Sequence, residues 1–336
     1  MNILKRALSS ARIRFRRLVN PVLLRNTARQ LRLEDTFIIA GSNRSGTTWL
    51  QEVVATLPGA VTNFEPLHVD VVGPAREAGF HKLSYRGPTA TDEQGLRYLE
   101  GVLSGREWHG YTAQFNTIAG CLAPKNLVVK FIHANGLIDW MSRQLPIRRP
   151  LVVVRHPAAV NASVLTKRWD LSDLKSTLLQ SELVAASPDL QLYINNLNTP
   201  LEQLTARWCL ENAILFKAGS GRRFDLVTYE SLVLGGPAAL VEMFENWNAD
   251  PPPGIAKAHS RDSWMTAENA SYNSAQQRLA KWKSQITPQQ TTDIVRVIRD
   301  FGIDFYSEST VPNEDRFAHC RADGLLNAAL PASRAA

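Results

Sequence analysis

Residues 36–50 read TFIIAGSNRSGTTWL, and this stretch decides the fold class. Its first five residues form an apolar, β-branched run that predicts a buried strand. A loop with two glycines, Gly41 and Gly46, follows the strand, and we expect a helix to begin at about Thr47. The backbone N–H groups of such a loop and of the helix N-terminus converge, so the stretch predicts an anion-binding cradle.

Further apolar runs alternate with helical patterns along the chain. They predict buried strands at residues 60–64, 127–132, 151–154 and 224–228, and helices at residues 135–144, 157–168 and 237–247. Strands that alternate with helices of this length favour a parallel sheet that is covered on both faces. We therefore predict an α/β protein with a three-layer, P-loop-like fold, in which helices flank a central parallel sheet.

The chain divides into three predicted segments. Residues 1–32 form a basic amphipathic arm, residues 33–310 form the α/β domain, and residues 311–336 form a C-terminal tail. Within the domain, residues 68–125 and 170–220 have a less regular pattern than the rest. Insertions in an open α/β sheet lie above the carboxyl ends of the strands, where ligands bind. We therefore expect these two insertions to contribute to a ligand-binding site.

The positive charge of the chain is concentrated in the arm. The whole sequence carries 38 Lys and Arg against 31 Asp and Glu, a net charge of +7. Nine of the bases and none of the acids fall in residues 1–32, which leaves 29 bases against 31 acids and a charge of −2 for the remainder. A body without excess positive charge does not favour nucleic acid as a partner.

Cysteine spacing and hydropathy exclude further classes of protein. Cys121, Cys209 and Cys320 lie far apart without a CxxC motif, so neither a disulfide framework nor a structural zinc site is expected. No stretch approaches the run of about 18 apolar residues that indicates a membrane-spanning helix. We expect a cytoplasmic protein with free thiols.

An apolar stripe runs along the arm at alternating spacings of four and three residues: Leu4, Leu8, Ala11, Phe15, Leu18 and Val22. This periodicity predicts a helix with arginines on its remaining face, which Pro21 should end or kink. Three interpretations stay open. Residues 1–24 could lie on an anionic membrane surface as a peripheral contact, the stripe could pack on the body, or the arm could be a mitochondrial presequence.

The loop after the first strand departs from the triphosphatase P-loop, GxxxxGK[ST], at one position. Thr47 follows the second glycine, where that motif has the lysine that reaches the β- and γ-phosphates. The cation of this loop is Arg44 instead. ATP hydrolysis is therefore disfavoured, and a P-loop nucleotide kinase or triphosphatase remains the alternative enzyme class. A membrane-surface or nucleic-acid-binding protein that uses the arm is the non-enzymatic alternative.

A second anion-binding pattern follows the strand predicted at residues 151–154. Arg155 ends that strand, Pro157 suits the first turn of a helix, and Ser163 falls about two turns further on. An arginine binds a phosphate through two parallel hydrogen bonds. The Arg155–Ser163 pair therefore predicts a second phosphate site beside the first loop.

The two motifs together resemble the sulfotransferase family that uses 3′-phosphoadenosine 5′-phosphosulfate (PAPS) as donor. RSGTTWL looks like the family's 5′-phosphosulfate loop and VVVRHPAAVNASVL like its 3′-phosphate segment, while LVTYESL and LAKWKSQIT add weaker marks. The resemblance covers roughly residues 36–306, and the arginine in the loop looks most like the glycan- and protein-tyrosine-modifying branches. It implies transfer of a sulfuryl group to an acceptor hydroxyl, with 3′-phosphoadenosine 5′-phosphate (PAP) as product and no metal.

The resemblance also implies a donor site. Its 5′-phosphosulfate would be held by Arg44, Ser45, Gly46, Thr47 and Thr48. Its adenine would stack on Trp49 beside Tyr229, its 3′-phosphate would bind Arg155 and Ser163, and the nucleotide would be covered by Lys281 or Lys283.

Two residues compete for the role of general base. Glu65 lies in NFEPLH, which resembles the pattern that carries the catalytic glutamate of carbohydrate sulfotransferases. His133 lies in KFIH, three residues after Lys130, whereas family members with a histidine base place it two residues after a lysine. We expect Glu65 to be the base, Arg44 to stabilise the leaving group, and Lys130 and His133 to support catalysis. The Glu65 pattern favours a carbohydrate or a lipid-linked glycan as acceptor, and we expect the insertions at residues 68–125 and 170–220 to bind it.

Overall fold

Five parallel strands form the centre of the molecule. The computed structural model describes residues 2–167, 169–217, 221–261 and 274–328. The strands are β1 (Phe37–Gly41), β2 (Ala60–Phe64), β3 (Asn126–Phe131), β4 (Leu151–Val154) and β5 (Asp225–Thr228), paired in the order β2-β3-β1-β4-β5. The predicted α/β class with a central parallel sheet is confirmed.

Helices connect and cover the strands. In chain order they are α1 (Asn2–Thr27), α2 (Thr47–Val54), α3 (Gly73–Glu77), α4 (Glu93–Leu103), α5 (Gly110–Ala113), α6 (Ile118–Leu122), α7 (Ile138–Gln144), α8 (Pro157–Thr166), α9 (Leu174–Leu179), α10 (Glu182–Ala185), α11 (Pro188–Asn195), α12 (Pro200–Lys217), α13 (Tyr229–Leu234), α14 (Gly236–Asn246), α15 (Ile255–His259), α16 (Ala275–Ala280), α17 (Pro288–Asp300) and α18 (Glu314–His319). Short 3₁₀ helices occur at Ala28–Gln30, Leu33–Asp35, Lys281–Ser284 and Leu325–Ala328.

Both faces of the sheet are buried under hydrophobic cores. Ile38 and Ala40 of β1 point into one core, which includes side chains of α4, α7 and α12. Phe37 and Ile39 point into the other, with side chains of α2, α13 and α14. Burial of each large apolar side chain stabilises the fold by about 1.5–3 kcal/mol. Because successive side chains of a strand point to opposite faces, a strand that is covered on both faces is expected to be apolar at every position. The predicted three-layer, P-loop-like arrangement follows from this packing.

Helix α1 continues through Pro21 instead of ending there. Proline removes one intrahelical hydrogen bond, but the turns that follow are held by the body. Asn20 and Leu24 are fully buried, and Leu24 belongs to the larger core. Three residues of the predicted apolar stripe, Phe15, Leu18 and Val22, are exposed and do not pack on the body. The side chains of Leu4 and Leu8 lie outside the described part of the structure.

Candidate active site

A cavity of about 630 Å³ opens at the carboxyl ends of the strands. Each strand contributes a side chain to its lining: Arg44 after β1, Glu65 after β2, His133 after β3, Arg155 after β4 and Tyr229 after β5. In the sheet, β2 and β3 lie on one side of β1, and β4 and β5 lie on the other. The direction in which strands are added therefore reverses beside β1. Ligands of open α/β sheets bind at this point.

Three residues at this edge have a left-handed backbone that side chains rarely adopt. Arg44, Glu65 and His133 have φ angles of 69°, 51° and 63°. Each such conformation costs about 1–3 kcal/mol and persists only where the surrounding structure imposes it, which happens most often at functional sites. All three side chains line the cavity.

The loop after β1 folds into the cradle that its glycines predict. The Ser45 N–H and hydroxyl both donate to the Ser42 carbonyl oxygen, at 3.1 and 2.7 Å. Gly46 has a φ of 94°, and a Cβ at this position would lie 2.3 Å from Cδ2 of Tyr229. Helix α2 then begins at Thr47, and the first turn of a helix leaves backbone N–H groups free to bind an anion.

The two predicted phosphate motifs meet in space. Arg44 Nε donates to Ser163 Oγ at 2.8 Å, and Arg155 Nη1 donates to the Arg44 carbonyl oxygen at 3.0 Å. Among the described residues, the buried Nε of Arg155 has no hydrogen-bond partner. Burial, and then the charge of Arg155, lower the pKa of Arg44. An anion beside both guanidinium groups would relieve this repulsion and supply the missing partner.

An aromatic and cationic wall borders the loop. The Trp49 and Tyr229 rings meet edge-on, with centroids 5.8 Å apart, and both are buried. The Arg278 guanidinium lies over them, 5.2 Å from the Trp49 centroid and 5.5 Å from that of Tyr229. A planar base can stack on a guanidinium that is itself supported by aromatic rings.

Glu65 is held by a donor at each carboxylate oxygen. Lys130 Nζ forms an ion pair with Oε1, and the Tyr111 hydroxyl donates to Oε2 at 2.6 Å. Burial, and then the charge of Glu65, raise the pKa of Tyr111. Burial lowers the pKa of Lys130, although the Glu65 charge acts in the opposite direction. The carboxylate is therefore fixed in position at the edge of the cavity.

His133 is a buried imidazole without a fixed partner. Its Nδ1 lies 4.0 Å from Glu211 Oε1 and has no hydrogen bond within the described residues. Burial holds its pKa well below the usual range for histidine, which keeps the ring neutral at neutral pH. Four neighbouring groups lower this pKa further: Arg207, His68, Lys82 and Lys130.

Most of the predicted site residues line the cavity. They are Arg44, Gly46, Thr47, Thr48, Trp49, Glu65, Lys130, His133, Arg155 and Tyr229. Ser45 instead closes the loop, and Ser163 holds Arg44 from outside the lining. Lys281 and Lys283 are exposed on a 3₁₀ helix that packs against α8, and they do not line the cavity.

Several lining residues were not predicted from the sequence. Arg278 lies one turn before Lys281 and is the cation of this segment that reaches the cavity. Lys82 comes from an irregular segment and Arg207 from the long helix α12, where no motif distinguishes them. Among the described residues, no group of three or more His, Cys, Asp or Glu side chains is arranged to hold a metal ion.

The chain is similar in fold to solved sulfotransferase structures. No protein-family model and no curated protein matches it. The sulfotransferase domain from the curacin biosynthetic pathway is 16% identical, with a TM-score of 0.41 over 79% of this chain and 96% of that one. The sulfotransferase domain from the Synechococcus PCC 7002 olefin synthase is 17% identical, with a TM-score of 0.42 over 82% of this chain and 100% of that one. A sulfotransferase from Alicyclobacillus acidocaldarius is 13% identical, with a TM-score of 0.33 over 79% of this chain and 96% of that one. Such likenesses concern the fold, so a function has to come from the cavity itself.

Proposed function

We propose that this protein is a sulfotransferase that moves a sulfuryl group from PAPS to an acceptor hydroxyl and releases PAP. The observation that carries the proposal is the contact of Arg44 with Ser163 and of Arg155 with the Arg44 backbone. These contacts join a loop suited to one phosphate with an arginine–serine pair suited to another. A nucleotide with separate 5′ and 3′ phosphates fits two adjacent anion sites, whereas ATP carries its phosphates in one chain.

In this proposal the donor occupies the edge between β1 and β4. Arg44 and the N–H groups that open α2 bind the 5′-phosphosulfate. Arg155 and Ser163 bind the 3′-phosphate, and Ser163 can donate to it while still accepting from Arg44, because a hydroxyl has one donor and two acceptor sites. The adenine stacks beside Tyr229 on the guanidinium of Arg278, with Trp49 behind it.

The transfer is an in-line displacement at sulfur. The acceptor oxygen forms a new S–O bond while the S–O bond to the 5′-phosphate breaks, and the electron pair of that bond stays on PAP. By analogy with phosphoryl transfer, catalysis comes from positioning and from stabilisation of the charge that grows on the leaving phosphate. Arg44 and the loop N–H groups supply that stabilisation from fixed positions.

We assign the acceptor's proton to Glu65. Two donors hold its carboxylate, and the lone pairs that remain on its oxygens can still accept a proton. His133 is the competing base, because it is neutral and lines the same cavity, but no hydrogen bond to a described residue sets its tautomer. Lys130 acts in this proposal as the positioning partner of Glu65.

The acceptor in this proposal is the hydroxyl of a carbohydrate or of a lipid-linked glycan. The cavity lining also carries polar groups, with Lys82 paired to Asp70 at 2.8 Å and Arg207 paired to Glu211 at 3.1 Å. Trp169 is partly exposed on the same lining. Hydrogen-bonding groups beside an exposed aromatic face suit a sugar ring.

Calorimetry with PAP, AMP and ATP, with and without magnesium, tests the donor site. We expect PAP to bind about 100-fold more tightly than AMP, because the 3′-phosphate adds charge-assisted hydrogen bonds. Arg155→Ala should remove most of this ratio, and AMP affinity should fall less than PAP affinity, because AMP loses only the support that Arg155 gives to the Arg44 backbone. Arg97→Ala, an exposed arginine on α4, is the matched control and should change neither affinity.

Two results would contradict the proposal. Equal losses of PAP and AMP affinity in Arg155→Ala would remove the 3′-phosphate assignment. A preference for ATP with magnesium would return the protein to the class of nucleotide kinases or triphosphatases.

A further inference from the structure

Helix α1 turns Phe15, Leu18 and Val22 of its apolar stripe away from the body of the protein. Phe15, Leu18 and Val22 are 57%, 75% and 59% exposed, whereas Asn20 and Leu24 are fully buried. At about 100° per residue, the centre of the exposed stripe lies on the opposite side of the helix from Asn20 and Leu24. The helix is therefore attached by one face and leaves an apolar face uncovered within the described part of the chain.

Buried hydrogen bonds fix this orientation. Asn20 Nδ2 donates to the carbonyl oxygens of Ala113 and Asn116, at 2.9 and 3.0 Å. One turn earlier, Arg17 Nε donates to Gln114 Oε1 at 2.8 Å. Rotation of the helix to bury its apolar stripe would break these bonds and leave buried polar groups without partners. The exposure of the stripe is thus a consequence of specific attachment to α5 and the residues that follow it.

Arginines flank the exposed stripe on both sides. In a helical projection Arg12 and Arg16 lie on one side of it, and Arg14 lies on the other. Arg25 also falls on the side of Arg14, but its guanidinium donates to the Trp108 carbonyl oxygen on the body. No acidic residue occurs anywhere in residues 1–32. Arginine side chains have long apolar stems, so their guanidinium groups can reach lipid phosphates while the stripe enters the boundary between headgroups and acyl chains.

We propose that this face of α1 docks on the surface of an anionic phospholipid bilayer. A second copy of the chain is a poorer occupant, because pairing the same face would bring two arms of nine bases together. No helix of the described residues is long and apolar enough to cross a membrane. The combination of an apolar stripe and flanking cations fits a helix that lies in the membrane interface.

The docking face lies close to the catalytic cavity. Its helix packs against α5, which carries Tyr111, and the Tyr111 hydroxyl binds Glu65. Packed helix axes lie about 8–10 Å apart, so docking would hold the cavity near the bilayer surface. Membrane docking does not depend on which reaction the cavity performs.

Sedimentation of the full chain with lipid vesicles tests the docking surface. We expect binding to vesicles that contain phosphatidylglycerol, little binding to pure phosphatidylcholine, and weaker binding as salt is raised. The triple variant Phe15→Ser, Leu18→Ser, Val22→Ser should bind at least about tenfold more weakly, because it loses the apolar contribution. Leu192→Ser is the matched control, since Leu192 is 63% exposed on another helix, α11.

Further measurements separate the bilayer from other occupants. Arg12→Gln with Arg14→Gln should weaken binding to anionic vesicles without changing the thermal midpoint. Equal vesicle binding by the wild type and the triple variant would overturn the proposal. Light scattering that shows a dimer in the wild type and a monomer in the triple variant would assign the stripe to a second copy and overturn it too.

Discussion

Glu65 combines three features at one position, namely a strained backbone, near-complete burial and a carboxylate with a donor at each oxygen. A structural ion pair with Lys130 alone would need neither the strain nor the open side toward the cavity. The pair with Lys130 fixes where the carboxylate lies, and the Tyr111 hydroxyl fixes how it is turned. An acceptor hydroxyl in the cavity would meet a base that is already oriented, which is the arrangement that general base catalysis requires.

Glu65→Gln should lower kcat by about 10²- to 10⁴-fold, because the amide keeps the shape of the side chain and cannot take a proton. PAP affinity should stay within about twofold, because in the proposed function Glu65 contacts the acceptor and not the nucleotide. Steady-state kinetics and calorimetry measure the two quantities, with the exposed Glu93→Gln as control. If Glu65→Gln keeps its turnover while His133→Gln loses it, His133 is the base.

His156 makes the stability of the fold depend on pH. Burial lowers its pKa to about 4, and its ring stacks on Trp282 with centroids 4.8 Å apart. The unfolded chain, with a histidine pKa of about 6.5, therefore binds more protons than the native state between pH 6.5 and 4. The free energy of unfolding should fall as pH is lowered through this window, by about 2–3 kcal/mol from this residue, and be fully retained above it.

Urea unfolding of the wild type and His156→Gln from pH 7.5 to 4 measures this contribution. Glutamine removes the titrating group, so the variant should lose less stability between pH 6.5 and 4, each protein being compared with its own value at pH 7.5. If the free energy of unfolding falls equally with pH in both proteins, the pKa of His156 is the same in the native and unfolded states and the prediction is wrong. Burial lowers the pKa of His133 as well, and His133 remains in the variant. The free energy of unfolding of the variant should therefore still fall somewhat as pH is lowered.

At the scale of elements, the loop between β1 and α2 depends on Gly46 for two separable reasons. Its positive φ disfavours any side chain, and a Cβ would collide with the Tyr229 ring. Gly79 has a similar φ of 85° with nothing within 4 Å of a built Cβ, so Gly79→Ala isolates the backbone cost of about 1–2 kcal/mol. Gly46→Ala should cost about 1–3 kcal/mol more, because the ring must move.

Urea unfolding and PAP calorimetry distinguish the two glycine variants. Gly46→Ala should also weaken PAP binding, because the displaced ring packs against Arg155, whose guanidinium lies 4.5 Å from its centroid. Gly79→Ala should bind PAP as the wild type does. Equal costs and unchanged PAP affinity in both variants would show that the contact between loop and ring is not essential.

The strands were the most predictable elements, because strands that are buried on both faces appear as continuous apolar runs. The predictions at residues 60–64 and 151–154 coincide with β2 and β4. The bond from Tyr111 to Glu65 could not be predicted, since these residues are 46 positions apart and no periodicity relates them. The order of the strands is likewise absent from the local pattern, although it decides which loops meet.

The arm shows how a polar group can override an apolar pattern. Periodicity correctly predicted a helix here, but it could not show which face would contact the body. The buried amide of Asn20 has two carbonyl partners on the body, and Leu24 enters the core behind it. Those contacts orient the helix, and the apolar stripe that dominates the sequence pattern is left outside.

For the whole molecule, the two halves of α1 should contribute unequally to stability. Removal of residues 1–11 should change the free energy of unfolding by less than about 0.5 kcal/mol, since the buried contacts of α1 that the structure describes begin further along the helix. Removal of residues 1–27 should lower it by about 3–5 kcal/mol, because it uncovers the core around Leu24 and deletes the buried bonds of Asn20. Urea unfolding of both truncations measures the difference. If the chain without residues 1–27 is as stable as the full chain, the arm is not part of the folded domain. The expected loss of stability would instead show that α1 is an integral helix of the domain, so that its exposed apolar face is part of the domain surface.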